Sequence, residues 1–220
     1  MGARFEIPPG ARLRVATASG NISLIAEDRQ DLEVEPPDRR VELEDGGRVV
    51  DVRSRSSNLE IRCPRGIDVS IGAISGHVRL AGEFGSVKVS AVSGHIEVDS
   101  TQGDVDVRAI SGHLSVNACG GRCKLNTKSG RITVGRVEKE AHASTISGNV
   151  ELGTAGGGDV EVKTISGRVT VRVVGERHPR VHLRSFSGKT VCNCPQGSDF
   201  EVRASSLSGT VEIVGASLAP

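Results

Sequence analysis

The chain has 220 residues and a formal net charge of +1, with 28 glycines, four phenylalanines and neither Trp nor Tyr. Glycine at about 13%, against an average near 7%, and the scarcity of rings argue against proteins that grip single-stranded nucleic acid or sugars by aromatic stacking. The charge divides into −2 over residues 1–72 (11 basic, 13 acidic) and +3 over residues 73–220 (17 basic, 14 acidic), so no long-range field favours a polyanion and neither a nucleic-acid nor an acidic-membrane partner is expected.

The first residues, MGARFEIPPGARLRV, lack the apolar run of a secretory signal, and no segment approaches the roughly 20 apolar residues of a membrane span. The expectation is a cytoplasmic protein with no direct membrane insertion. Residues 16–25, ATASGNISLI, carry a first Ser-Gly pair, Ser19-Gly20, between alternating apolar positions. The segment VELEDGGRVVDV reads as two strands joined at Asp45-Gly46-Gly47, a hairpin near residues 41–53. Cys63-Pro64-Arg65-Gly66 then leads into a regular array, as Cys194-Pro195-Gln196-Gly197 leads into its last segment.

The array is a ladder of Ser-Gly pairs beginning at Ser75, Ser93, Ser111, Ser129, Ser147, Ser166, Ser187 and Ser208, at spacings of 18, 18, 18, 18, 19, 21 and 21. Most pairs open a similar segment (SGHVRL, SGHIEV, SGHLSV, SGRITV, SGNVEL, SGRVTV), with apolar residues at the second and fourth positions after glycine. That alternation is a strand with one buried face. A second punctuation follows about nine residues later at Gly85, Gly103, Gly121 and Gly158, again leading into alternating apolar positions.

Short strands repeated in phase indicate a solenoid. If each unit is one coil, equivalent positions stack at about 4.8 Å and strands pair in parallel with the copies above and below. The predicted fold is all-β, a single-stranded parallel β-helix with 18–21 residues per coil. The steric preference of parallel crossovers favours a right-handed coil. One domain is expected over 1–220, irregular over 1–72 and regular over 73–214.

The register predicts three inward stacks. Val78, Ile96, Leu114, Ile132, Val150 and Val169 form the first, and Leu80, Val98, Val116, Val134, Leu152 and Val171 the second. Val87, Val105, Cys123 and Val160 form the third. Branched aliphatics suit a pleated surface, and thin space between two sheets explains the missing rings. Glycine at the corner supplies positive φ, and the preceding serine can hydrogen-bond the turn backbone.

The order of a short strand, SGNISL, irregular strands and then repeated S-G-x-[VIL]-x-[VIL] segments alternating with G-x-V-x-V resembles the bacterial β-strand-repeat family labelled putative adhesin, also called the toast-rack domain. The resemblance implies a right-handed single-stranded β-helix without known catalytic activity. In some relatives it implies attachment to membrane proteins of envelope-stress systems. It carries over no functional residues.

His77, His95 and His113 each follow a Ser-Gly pair and stack on one outer edge, which makes them the candidate metal ligands. The row continues as Arg131, Asn149, Arg168, Lys189 and Thr210, the pattern of a solvated edge, so no metal and no cofactor are assigned. Outward rows such as Lys88, Asp106, Lys124 and His142, or Arg79, Glu97 and Ser115, mix charge and polarity and support register.

Cys63, Cys123, Cys192 and Cys194 fall on inward phases, and all five cysteines, Cys119 included, are expected as free thiols. The densest basic cluster, Arg177, His178, Arg180, His182 and Arg184, falls where the repeat lengthens and is read as an extended corner loop, the candidate interaction site. No H-E-x-x-H, G-x-S-x-G or phosphate-binding glycine loop is present, and no catalytic residue is assigned. The expected function is a non-enzymatic scaffold or protein-interaction module. A protein partner or self-association would fit it, with adhesin-like binding of a glycan or envelope component as the alternative.

Overall fold

A computed structural model of the chain describes residues 2–56, 58–154, 158–173, 180–194 and 201–214. The N-terminal strands are β1 (Ala3–Glu6), β2 (Arg12–Ser19), β3 (Ile22–Glu27), β4 (Asp31–Glu35), β5 (Arg40–Glu44), β6 (Val49–Ser56) and β7 (Leu59–Pro64). The array follows as β8 (Asp68–Phe84), β9 (Val87–Thr101), β10 (Val105–Cys119), β11 (Cys123–Val137), β12 (Ala141–Thr154), β13 (Val160–Val173), β14 (Arg180–Asn193) and β15 (Glu201–Val214). Each array strand makes nearly a whole coil. It bends at Ser-Gly without losing its pairing to the layers on either side.

The chain is an all-β solenoid in which β8 to β15 stack in sequence, every neighbour parallel. Register follows the Ser-Gly ladder, with Ser75 opposite Ser93, Ser93 opposite Ser111, Ser111 opposite Ser129, and so on to Ser187 opposite Ser208. The three inward stacks are buried. A further row, Val89, Val107, Leu125, Ala143, Val162 and Leu183, completes the second wall. A buried aliphatic side chain in such a stack contributes roughly 1.5–3 kcal/mol before conformational entropy is set against it.

The N-terminal part is wound out of order. β2 lies between β6 and β8, and β3 lies between β7 and β8, so the coil of residues 12–27 is sandwiched by later segments. β5 folds back antiparallel on β6 with Val41 opposite Val52, joined through the short 3-10 turn at Asp45–Gly47. β4 covers the outer edge of β7 and β1 covers β4, both antiparallel. These antiparallel strands occupy edges that would otherwise template pairing with another chain. At the other end β15 pairs only with β14 among the described residues.

At the corner, Gly112 has φ 134° and Gly130 φ 127°. A Cβ on Gly112 would overlap the carbonyl oxygen of Gly94, and one on Gly130 that of Gly112. Glycine is required there both by backbone conformation and by the close approach of the layer beneath. The hydroxyl that ties down the corner is mostly not that of the Ser-Gly serine. Thr127 Oγ1 donates to the carbonyl of Ser129 at 3.0 Å. Thr17, Thr145, Thr164 and Ser185 do the same two residues before their own pairs. Ala73, Ala91 and Ala109 hold that position in β8–β10. Serine itself is seen bonding at Ser187, whose Oγ donates to the Ile165 carbonyl at 3.3 Å.

All five cysteines are free and buried. Cys119 joins the inward set because alternation breaks after Asn117, so that Cys119 stacks between Thr101 and Val137. Burial pushes the Cys63 thiol up to about 12 and raises Cys192 and Cys194, whose sulfurs lie 3.3 Å apart. The Cys123 thiol is pushed well up by its hydrogen bond with Cys119 and by burial.

Two outcomes are expected from this packing. Gly112→Ala should destabilise the protein by at least about 3 kcal/mol in urea unfolding, whereas Gly72→Ala, with open space at its Cβ, should change stability by no more than about 0.5 kcal/mol. In thiol titration with Ellman's reagent the native protein should react slowly at Cys63, Cys123, Cys192 and Cys194, whose thiols are buried and raised, and all five cysteines should react at once after unfolding.

Candidate interaction surface

The Ser-Gly corner places a second feature on the outside of the coil. Along β8, Val69, Ile71 and Ala73 point inward, so Ile74 points out. The positive-φ glycine then resets the phase, leaving His77 outward and Val78 inward. The residue before each serine is therefore exposed at every layer: Ile74, Val92, Ile110, Lys128, Ile146, Ile165, Phe186 and Leu207. The seven apolar members are between 43% and 75% exposed. Together they form an exposed apolar row of a kind that marks an interaction surface more often than scattered single residues do. The sequence signal for this ridge is the residue preceding each Ser-Gly pair, apolar at seven of eight layers on an outward phase. The repeat segments, read from serine onward, leave that residue out.

Two rows flank the ridge. On one side run Gly72, Ser90, Arg108, Asn126, Ser144, Lys163, Arg184 and Ser205. On the other runs the histidine row, from His77 through Arg131, Arg168 and Lys189 to Thr210. Neither row contains an acid at any layer from β8 to β15. Acids appear one row farther out, as Asp106 and Glu161 on one side and Glu97, Glu151 and Glu212 on the other.

The three histidines stack rather than converge. The rings of His77 and His95 lie 4.8 Å apart at an interplanar angle of 23°, and those of His95 and His113 lie 4.7 Å apart at 55°. Among the described residues, the group of three whose possible ligand atoms gather within 4.8 Å is instead Glu42, Glu44 and Asp51 on the β5–β6 hairpin. The Asp51 carboxylate there accepts from Arg53 at 2.8 Å, so an internal cation already neutralises it.

Of the basic cluster at residues 177–184, Arg177 and His178 lie outside the described residues. Arg180, His182 and Arg184 are not in a loop but in β14, on its outward side. Arg180 makes a two-pronged contact with Asp159 at 3.0 and 3.1 Å, which ties it to the adjacent layer. His182 stacks between Glu161 and Arg203, and Arg184 belongs to the row beside the ridge. Strand alternation thus keeps these three side chains on one outward face of β14, with Arg180 engaged by Asp159 and Arg184 beside the corner surface.

Other polar side chains are engaged with one another. Lys163 Nζ lies 2.7 Å and His142 Nδ1 3.1 Å from Glu161, which is held below the usual carboxylate range mainly by the lysine. A shallow groove of about 760 Å³ lies near the β3–β4 connection, between Pro8, Arg29 and Arg65 among others. Arg29 Nε donates to Asp31 at 2.8 Å and its Nη2 to Glu33 at 3.1 Å. These bonds hold both carboxyls below their ordinary range and raise the guanidinium.

That cluster fixes β4 on the N-terminal edge and sets an acid limit. Because Asp31 and Glu33 bind protons less readily in the native state than in the unfolded chain, the stability they provide is present above the unfolded values. It is lost as pH falls through the lower native ones. The urea midpoint should therefore decline from about pH 4.5 downward, and Arg29→Met should be less stable at neutral pH with a shallower acid decline.

No curated protein matches the chain. Among solved structures, a putative adhesin from Parabacteroides merdae is similar at 12% identity, with 97% of this chain and 95% of that one covered and a TM-score of 0.36. The family model described as Toastrack DUF4097 matches residues 6–155, from β1 through the Ser-Gly pairs to Ser147, while the same ladder continues beyond the match to Ser208. On that match over more than half its length, the chain belongs to the Toastrack family.

Proposed function

We propose that the protein is a non-catalytic solenoid scaffold that engages a macromolecular partner along its Ser-Gly corner. The observation that carries this reading is the exposed apolar row, one side chain per layer from Ile74 to Leu207, interrupted only at Lys128. Isolated surface hydrophobics are ordinary, but seven aligned along one edge, three on one side of Lys128 and four on the other, mark an interaction site. The row sits on hydrogen-bonded strands, so its side chains are displayed without ordering a loop on binding. The ion pairs of Lys163 with Glu161 and of Arg180 with Asp159 support the non-catalytic part of the reading, since each of these groups is engaged by its neighbour.

The uncharged dye Nile red tests the surface independently of charge. Native protein should enhance its fluorescence, and Ile146→Glu with Ile165→Glu should remove at least half of the enhancement while shifting the melting temperature by only a few degrees, because both sites are exposed. Absence of enhancement with the native protein, or full enhancement with the folded double variant, would overturn the reading.

A further inference from the structure

We infer that the surface recognised by the ridge is an anionic lipid bilayer. The inference rests on the reading of the corner as a binding surface and adds the chemistry of its partner. Three observations converge on one edge. The apolar row is about 34 Å long over eight layers, narrow, and on the convex side of the bend. It is flanked by Arg108, Lys163 and Arg184 on one side and Arg131, Arg168 and Lys189 on the other, with Lys128 in the row itself. No Asp or Glu occupies any of the three rows in β8–β15, although the chain carries 27 acidic residues.

Charge complementarity selects among occupants. A second copy laid ridge to ridge would bring cationic flanks against cationic flanks, with no acid in either row to relieve them. A polyanion without an apolar phase would leave Ile, Val, Phe and Leu against phosphates. An anionic bilayer meets both requirements. The aliphatic row enters the boundary between headgroups and acyl chains, while arginines and lysines on either side extend to the phosphates with their stems along the apolar surface. Lys163, Lys189 and Arg108 have carboxylate partners on the outer rows at 2.7, 2.9 and 3.2 Å. Among the described residues, no ion pair occupies Lys128, Arg131, Arg168 or Arg184, so four cations are available to headgroups.

The test is cosedimentation of the full chain with unilamellar vesicles of phosphatidylcholine alone or of phosphatidylcholine mixed with phosphatidylglycerol. Binding should be at least about tenfold stronger to the anionic vesicles and should weaken with added salt. Arg131→Glu with Arg168→Glu, and separately Ile146→Glu with Ile165→Glu, should each reduce anionic-vesicle binding at least about tenfold while the β-sheet circular dichroism spectrum is unchanged. No binding to anionic vesicles, equal binding to both compositions, or binding that survives either folded double variant would overturn the inference. A dimer in light scattering that Ile146→Glu converts to monomer would also overturn it, because a second copy would then cover the ridge. Nile red enhancement with no vesicle binding would overturn the lipid assignment and leave the corner as a binding surface.

Discussion

The close approach of successive glycines at the Ser-Gly corner is the constraint on which the other regularities depend. The carbonyl oxygen of Gly94 fills the space a Cβ would take on Gly112, and the carbonyl of Gly112 does so beneath Gly130. The chain can turn sharply there while keeping its hydrogen bonds to neighbouring layers, but only if the glycines are superposed. A slip of one residue would drive a side chain into a backbone carbonyl and would also turn each inward aliphatic to solvent. Corner and core therefore specify the same register. The spacing can lengthen from 18 to 21 residues in the later layers without disturbing it, because the extra residues fall away from the Ser-Gly bend.

This explains which parts of the architecture were readable from residue order. Ser-Gly spacing and the alternation after it predict β8–β15 and the three inward stacks, since each contact is made with the equivalent residue one repeat away. The threading of residues 12–27 between 49–64 and 68–84 is not legible in that way. It depends on β2 preferring two partners distant in sequence, and Val15 meets Val52 on one side and Ile71 on the other. Nothing local in a strand such as RLRVATAS distinguishes an end layer from an inserted one. Cys119 shows the same limit on a small scale, because a single break in alternation after Asn117 moves it into the core.

The candidate surface was only partly legible. The histidine row follows directly from spacing, as does its continuation into Arg131 and Arg168. The apolar ridge requires knowing that the corner resets strand phase, so that Ile74 and His77 both face outward although an uninterrupted strand would place them on opposite faces. In the basic cluster near residue 180 the composition was legible but the local structure was not. Proximity in sequence suggested a loop, whereas Arg180, His182 and Arg184 lie on one face of a strand, Arg180 paired with Asp159 and Arg184 at the edge of the ridge.

The distribution of acids then acquires a physical sense. A parallel stack repeats each outward position every layer, so a charge type favoured in one row is presented in multiple copies along the whole edge. Glu161 and Glu212 one row out stabilise Lys163 and Lys189 without intruding on the three corner rows. Exposed ion pairs of this kind contribute little to stability, typically no more than about 1 kcal/mol, so folding alone gives weak reason to keep acids out of the corner while admitting them next to it. Nor does burial of the core require isoleucine at positions 110, 146 and 165, where a polar residue would leave the inward stacks untouched. The ridge and its acid-free margins are thus the features of this molecule that its own stability does not account for, and that separates them from the rest of a highly constrained surface.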